Sequence, residues 1–478
     1  MSENNSIASG FMWRLMERFL NLFISFAVSV VLARLLGPEA YGTVALVLIF
    51  ITILNLFTDS GLSTALIQKK DADELDFSSV FVFNILICLV LYMIVWFGAP
   101  FIERFYNIGR LTSYIRVLGL VIPVDGIKTI QIAYISRNLD FKKFFNATIT
   151  GTVISGIVGI FMAIKGFGVW ALIAQNLTNE VVDTAILWLS VRWKPTLQFS
   201  FARLKGLLSY GWKILATTLV NAIYGNMFDL TIGKVYTTKD LSYFNKAESF
   251  PNRFVNAATI AANSVLLPSQ SKEQDNPSRV REIASMFISS GSYVLIPLMT
   301  GLAVCAQPFI LVLLGEEWLE CVRFLQLLCP MYAIAFLHSA NQNSIKSMGR
   351  SDITLIVEII KKATGFTCLL LTVRYGVFAL AAGLVVSDFI GLVADMIPNR
   401  KLIGYSIADQ IRDILPTVLL SVAMGAAVYC AGLLGFRPLV TLLIQIPCGI
   451  VVYLLLSVVF RVKAFETLKE VIIKVIKK

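Results

Sequence analysis

Arg14, Glu17 and Arg18 lie three and four residues apart, and Asn21 and Ser25 continue the same side. A helix over residues 10–34 therefore carries one polar stripe through an otherwise apolar cylinder. Two guanidinium groups with one carboxylate can bind an anion, line a wet cavity, or reach lipid headgroups from a helix end. Cavity lining is the better reading, because Glu17 is too short to reach the headgroups. The pattern returns once further along. Gly211-Trp212-Lys213 echoes Trp13-Arg14, Lys234 echoes Arg34 and Tyr243 echoes Tyr41, so Lys213 supplies a second cation at a matching depth. Lys128 lies three residues after Asp125 and beside Pro123, a spacing that fits an intrahelical ion pair and a cavity role equally. Lys246 and Arg253 share one helical face, whereas Glu358, Lys361 and Lys362 can pair among themselves.

A second set of residues is acidic: Glu180 and Asp183, Asp229, and Asp388 with Asp395. Carboxylates at membrane depth are natural proton or sodium sites, and pairing with the cations just named is the equal alternative. Glu180 and Asp388 occupy the same place in two copies of a repeat. Asp183 follows Glu180 by three residues where Gly391 follows Asp388. A coupling ion is therefore expected in a single copy, with Asp229 and Asp388 preferred over Glu180 and Asp183.

The elements that must hold these residues are membrane helices. The chain has 478 residues, of which 57% are hydrophobic and 15% charged, and a mean hydropathy of +0.77. That composition excludes an ordinary soluble protein. Apolar windows long enough to span a bilayer fall near 10–34, 43–66, 77–102, 112–136, 145–165, 168–191, 209–234, 242–267, 284–306, 321–347, 353–373, 376–397, 412–434 and 438–460. The fold class is an all-α polytopic membrane protein of about 14 transmembrane helices. No alternating barrel pattern is present, and the first residues do not resemble a cleavable leader. Lysine and arginine concentrate in the loops on the side of both termini, which places those ends in the cytoplasm and accounts for most of the net charge of +11 without nucleic acid. The seven cysteines form no CxxC pair and read as small apolar residues. The one histidine, His338, has no second histidine with which to build a metal site or a triad.

The repeat fixes the expected domains. Gly168-Val169-Trp170-Ala171-Leu172 opens one span and Gly376-Val377-Phe378-Ala379-Leu380 opens its counterpart. Six spans per copy, an even number, give both copies one orientation, a parallel repeat about the membrane normal. The expected divisions are 1–191 for a first lobe, 192–207 for a cytoplasmic linker, 208–400 for a second lobe, 401–460 for two further helices and 461–478 for a basic tail along the inner headgroups.

LARLLGPEAYG, DSGLSTALIQKK, LGEEW followed by LQLLC, and SMGRSD, in that order, resemble the polysaccharide exporters of the MOP superfamily, in particular the Wzx-type flippases of the colanic acid exporter group. The likeness runs from about residue 8 to 400. It implies a V-shaped pair of six-helix lobes that moves an undecaprenyl-diphosphate-linked oligosaccharide from the cytoplasmic to the periplasmic leaflet of a bacterial inner membrane, for exopolysaccharide, capsule or O-antigen synthesis.

On this reading Arg14, Arg18, Lys128, Lys213, Lys246 and Arg253 hold the diphosphate in turn, while Asp229, Asp388, Glu180 and Asp183 serve ion coupling. The chain uses no cofactor, works by alternating access with coupling to a proton or sodium gradient, meets membrane lipids, and passes its cargo to polysaccharide polymerase machinery. Moving an anion outward against an inside-negative potential releases about 2.3 kcal/mol per charge per 100 mV, which favours this direction. One alternative is an ion-coupled multidrug exporter of the same superfamily, which calls for an acidic, aromatic cavity rather than many arginines and lysines. A membrane glycosyltransferase or polymerase is a further alternative, and would need a long extramembrane loop or a paired-carboxylate metal motif. The longest polar run, Pro268 to Glu282, has neither.

Overall fold

The computed structural model describes residues 2–469 apart from 60, 70, 139, 192, 197, 467 and 468, with the backbone alone at 2–8, 11, 59, 209, 210 and 261. Ser60 of the DSG string, Arg192 of the expected linker and most of the expected tail lie outside the described residues. The described chain is helical and divides into two compact units, Met1–Ser242 and Tyr243–Lys478.

The first unit contains α1 (Ser2–Asp59), α2 (Leu62–Gln68), α3 (Glu74–Tyr106), α4 (Leu111–Leu118), α5 (Val121–Asn138), α6 (Phe141–Ile164), α7 (Val169–Ser190), α8 (Phe201–Gly225) and α9 (Met227–Val235). α1 is two limbs meeting at Gly37, whose φ of 69° and ψ of 176° are non-helical. Pro38 explains the break. Its ring bars the residue before it from helical geometry, while its own fixed φ suits the first turn of the next helix. The first limb holds the first expected span, and the second limb holds most of the second, whose last residues fall on α2. α4 and α5 share the fourth span across a turn at Gly119 and Leu120, and α8 and α9 share the seventh across Asn226.

The second unit contains most of α10 (Thr238–Lys272), then α11 (Pro277–Val304), α12 (Ala306–Leu313), a 3-10 turn at Glu316–Trp318, α13 (Cys321–Ala333), α14 (Ala335–Ser347), α15 (Ser351–Thr372), α16 (Val377–Leu402), α17 (Ile407–Gly432) and α18 (Pro438–Val459). Every expected span thus falls on helix. Among the described residues, nine helical stretches are long and apolar enough to cross a membrane, the first of them covering both limbs of α1. α7, α8, α10 and α15 are too polar to qualify alone. They are also the helices that carry Glu180 and Asp183, Lys213, Lys246 and Arg253, and Glu358 and Lys361.

Exposed apolar faces show which surfaces meet lipid. On α3, Leu86, Leu89, Val90, Met93, Ile94 and Phe97 all lie exposed, and α18 exposes Leu443, Ile446, Ile450 and Leu454. In water such faces would be unstable, whereas hydrocarbon solvates them and the helical backbone satisfies its own hydrogen bonds. The chain is therefore a multi-pass membrane protein.

Buried polar fastenings hold the stretch after α7 against the first unit. Ser78 Oγ accepts from the Thr196 amide at 3.0 Å, Ser79 Oγ accepts from the Ser200 amide at 2.9 Å, and Gln131 donates to the Trp193 carbonyl at 3.3 Å. Beside them Asp73 and Asp76 form a capping box at the start of α3. The buried Asp76 accepts from Lys69 at 2.6 Å, and Arg203 reaches Asp73 at 2.5 Å. The Asp76 amide and the Arg203 guanidinium hold the exposed Asp73 carboxyl below the usual carboxylate range. Trp193 and Leu204 join Leu62, Leu66, Phe77, Phe81 and Ile130 in one apolar cluster below.

Close packing inside the first unit depends on Gly42. A Cβ there would stand 1.7 Å from the Thr238 carbonyl oxygen, a contact that only a backbone shift could relieve. Gly98, by contrast, has no neighbour within 4 Å of the place a methyl group would take. Gly42→Ala is expected to lower stability by about 1–3 kcal/mol, read as a drop in thermal unfolding midpoint in detergent. Gly98→Ala should leave the midpoint level or raise it slightly.

Candidate functional site

The polar stripe on α1 is a set of linked contacts. Arg14 pairs with Glu17 at 3.3 Å and lies over the Phe144 ring of α6 at 4.0 Å. The guanidinium is thus held over an aromatic face beside a carboxylate and stays partly exposed. Glu17 is buried, Arg18 is exposed, and Asn21 Oδ1 accepts from Ser25 at 3.1 Å and from Thr152 of α6 at 2.8 Å. Lys213 on α8 is exposed as well, and it too belongs to the first unit.

Deeper in this unit the Lys128 ammonium of α5 gathers three carboxylates. It stands 3.5 Å from Asp125, 3.4 Å from Asp183 and in direct contact with Glu180, the last two from α7. Two glycines make the convergence possible. A Cβ on Gly126 would fall 2.4 Å from Cys88 Sγ, so α5 can lie tight on α3 only without a side chain there. Gly151 of α6 likewise faces Asn179 and Asp183 at 3.2–3.4 Å.

The second unit repeats the arrangement with different residues. The helix of the tenth span breaks at Ile334, four residues after Pro330, and His338 lies one turn into α14. Its Nδ1 is 2.6 Å from Asp395 Oδ2, and its Nε2 is 3.4 Å from Asp388 Oδ2, both acids on α16. Lys361 of α15 reaches Asp395 at 3.3 Å and Glu358 at 3.4 Å. Gln342 donates to Glu358 at 2.9 Å and to Asp395 at 3.4 Å. Gly391 explains how Lys361 gets there: its absent side chain leaves room for the lysine stem, whose Cγ lies 3.1 Å from the position a Cβ would take. In each unit, then, a basic side chain on the fourth span of the repeat, Lys128 or His338, sits against acids of the sixth.

The remaining candidates are more dispersed. Asp229 is half-buried on α9 in the first unit, while Asp388 faces His338 in the second. Lys246 and Arg253 lie half-buried on α10, where Glu248 between them accepts from Tyr332 at 3.0 Å. The structure thus brings together Lys128, Glu180 and Asp183, and joins Asp388 to a histidine that sequence reasoning set aside. The missed signal was a polar stripe in an apolar span: His338, Asn341, Gln342 and Asn343 follow one another on α14. A buried amide relay continues from it. Asn341 and Gln410 of α17 exchange bonds at 2.7 and 2.9 Å, and Asn399 of α16 donates to Asn341 at 2.8 Å.

Removing the Lys128 ammonium leaves three acids facing one another at low dielectric. Lys128→Met is expected to cost about 3–5 kcal/mol, measured as the thermal inactivation midpoint in detergent. Arg14→Met, at a side chain 34% exposed, should cost far less. An unchanged midpoint in Lys128→Met would mean that bound protons, not the lysine, neutralise the acids.

Comparison with known proteins places this geometry. The family model described as "Polysaccharide biosynthesis protein" matches residues 31–323. The chain is similar to the succinoglycan biosynthesis transport protein ExoT of Rhizobium meliloti, at 24% identity over 64% of this chain and 62% of that protein, so less than two thirds of that relative is matched. It is also similar to the teichuronic acid biosynthesis protein TuaB of Bacillus subtilis, at 24% identity over 88% of each. Among solved structures, the lipid II flippase MurJ in an inward closed conformation aligns with a TM-score of 0.72 and 18% identity over 95% of this chain and 98% of that one. The chain belongs to the polysaccharide biosynthesis protein family and has the fold of the MOP superfamily.

Proposed function

We propose that this family member is a flippase that carries undecaprenyl-diphosphate-linked oligosaccharide repeat units from the cytoplasmic to the periplasmic leaflet of a bacterial inner membrane by alternating access. The observation that carries this reading is the set of cations left exposed or partly exposed on the spanning helices of the first unit: Arg14, Arg18 and Lys213. A charge on such a helix costs up to roughly 2.5–3.5 kcal/mol at the bilayer centre, so three of them on one unit point to an anionic cargo. Arg14 lies over the Phe144 ring and stays partly exposed, and a guanidinium suits the oxygens of a mobile diphosphate. Lys246 and Arg253 in the second unit are candidates for later contacts along the path.

A lipid-linked cargo also needs a place for its hydrocarbon. In the second unit a cavity of about 520 Å³ lies among α10, α11, α12, α17 and α18, lined by Phe254, Tyr293, Leu298, Met424, Ile446 and Leu454 with other apolar side chains. Gln445 is one of its few polar linings. Ile446 and Leu454 are also exposed on the lipid-facing side of α18, so the cavity continues into the hydrocarbon. An isoprenoid tail fits this chemistry, and the lining has no carboxylate to pair with a cationic drug. No bond is made or broken in this function, and the delivered glycan passes to polysaccharide polymerase machinery.

Two measurements test the reading. Arg14→Ala combined with Lys213→Ala should abolish translocation of a fluorescent lipid-linked oligosaccharide in proteoliposomes while insertion stays normal. Arg14→Lys should keep part of the rate, because charge matters more than fork geometry for a mobile diphosphate. Full rates in the double alanine variant would reduce these residues to helix anchors.

For the topology, single cysteines at the exposed positions 205 and 437 are placed in a cysteine-free background. Lys205→Cys should resist a membrane-impermeant maleimide in intact cells and Arg437→Cys should react. The reverse pattern would overturn cytoplasmic termini.

A further inference from the structure

Two buried polar atoms face each other in the second unit. His338 Nδ1 lies 2.6 Å from the fully buried Asp395 carboxylate, so in the neutral ring the single hydrogen belongs on Nδ1. Nε2 is then a lone pair, pointed at Asp388 Oδ2 3.4 Å away. Neither atom has a hydrogen-bond partner, and both are sealed from solvent. Two facing lone pairs repel, and a single proton between them turns repulsion into a charge-assisted hydrogen bond.

We propose that His338, held between Asp388 and Asp395, is a proton-binding site of the second unit, and that the proton taken up there couples transport to the transmembrane proton gradient. The coupling half rests on the flippase reading above, whereas the binding half stands on the geometry alone. The proton adds to the Nε2 lone pair from the compartment richer in protons, is shared with Asp388 Oδ2, and leaves from Nε2 to the other compartment. No bond between heavy atoms changes.

The charges around the ring favour this. α15 contributes Lys361 and Glu358, and α16 contributes Asp388 and Asp395. With a neutral imidazole, Lys361 meets Glu358 and Asp395 while Asp388 faces the ring, and a proton on the ring gives Asp388 a positive partner. On the other helices near α14, four charged groups have partners away from the ring. Arg281 of α11 pairs with Asp409 of α17 at 3.2 Å, Asp413 of α17 accepts from Ser285 and Tyr405 at 2.5 Å each, and Glu248 of α10 accepts from Tyr332 of α13.

The first unit supplies the contrast. There Lys128 bridges the acids, and a lysine ordinarily keeps its proton to about pH 10, whereas an imidazole exchanges one near neutrality. The equivalent network is thus held by a lysine alone in one unit and by a lysine together with an exchangeable imidazole in the other. Buried amides carry the site outward: Gln342 touches Asp395, and Asn399, one turn beyond it, links α16 to α14 and through Asn341 to Gln410 of α17.

His338 is the one histidine of the chain, so its ring can be read directly. In purified protein labelled with 15N-histidine, the imidazole resonances should titrate between about pH 5 and 10, with a midpoint moved down in Asp388→Asn and Asp395→Asn. A ring that does not titrate over that range, or a midpoint unmoved in both variants, overturns the site.

In proteoliposomes an imposed proton gradient should speed wild-type translocation by about 5-fold or more. His338→Gln and Asp388→Asn should bring the ratio of rates with and without the gradient to one. An unchanged ratio in both, or its loss only in Glu180→Gln or Asp183→Asn, overturns the coupling. A wild type that moves no lipid-linked oligosaccharide at all overturns the flippase reading and the coupling with it, and the resonance titration still decides the site.

Discussion

A charge buried among membrane helices must find its opposite within the protein, and that demand organises both units. Lys128 gathers Asp125, Glu180 and Asp183 from two helices, and His338 with Lys361 gathers Asp388, Asp395 and Glu358 from two others. Hydrophobic burial alone gives helices in lipid little reason to choose one partner, since the tails are as apolar as leucine. Directional polar contacts give that choice, and the small residues Gly126, Gly151 and Gly391 provide the room for them. Without those contacts α5 against α7, and α14 against α16, would lack a defined register.

Much of the fold was readable from residue types because its signals are local. Hydropathy windows located every span, and Gly37-Pro38 explains why two spans are joined by a single sharp break rather than a loop. Breaks inside spans were harder to see. Asn226 and Ile334 interrupt helices with no proline or glycine at the position itself, since tertiary contacts can favour a kink that propensity does not encode. The candidate site divides the same way. The spacing of Asp125 and Lys128 was visible within one helix, whereas the reach of Lys128 to Glu180 and Asp183 depends on how α5 and α7 pack.

His338 shows the limit of reading side chains by type. A lone histidine suggests no metal site and no triad, and by that measure it carries nothing. Its partners lie far along the sequence, and only the packing of α14 on α16 makes a ring with two carboxylates out of it. The repeat held a usable hint. A cation on the fourth span of one copy invites a search for a basic group on the tenth, and among His338, Lys346 and Arg350 only the histidine lies within the apolar part of that span.

The stretch from Trp193 to Ser200 looks, by its lack of helix, like a slack connector, yet it is fastened to Ser78, Ser79 and Gln131 and sits on an apolar cluster. Residues 273–276, which join α10 to α11, lie open to solvent. For anyone wishing to insert a reporter, split the chain into complementing halves or cut it with a protease, the second stretch is the permissive one. Extra residues near Thr196 would have to break backbone-to-serine hydrogen bonds that the first unit already uses, so the apparent linker behaves as part of the scaffold.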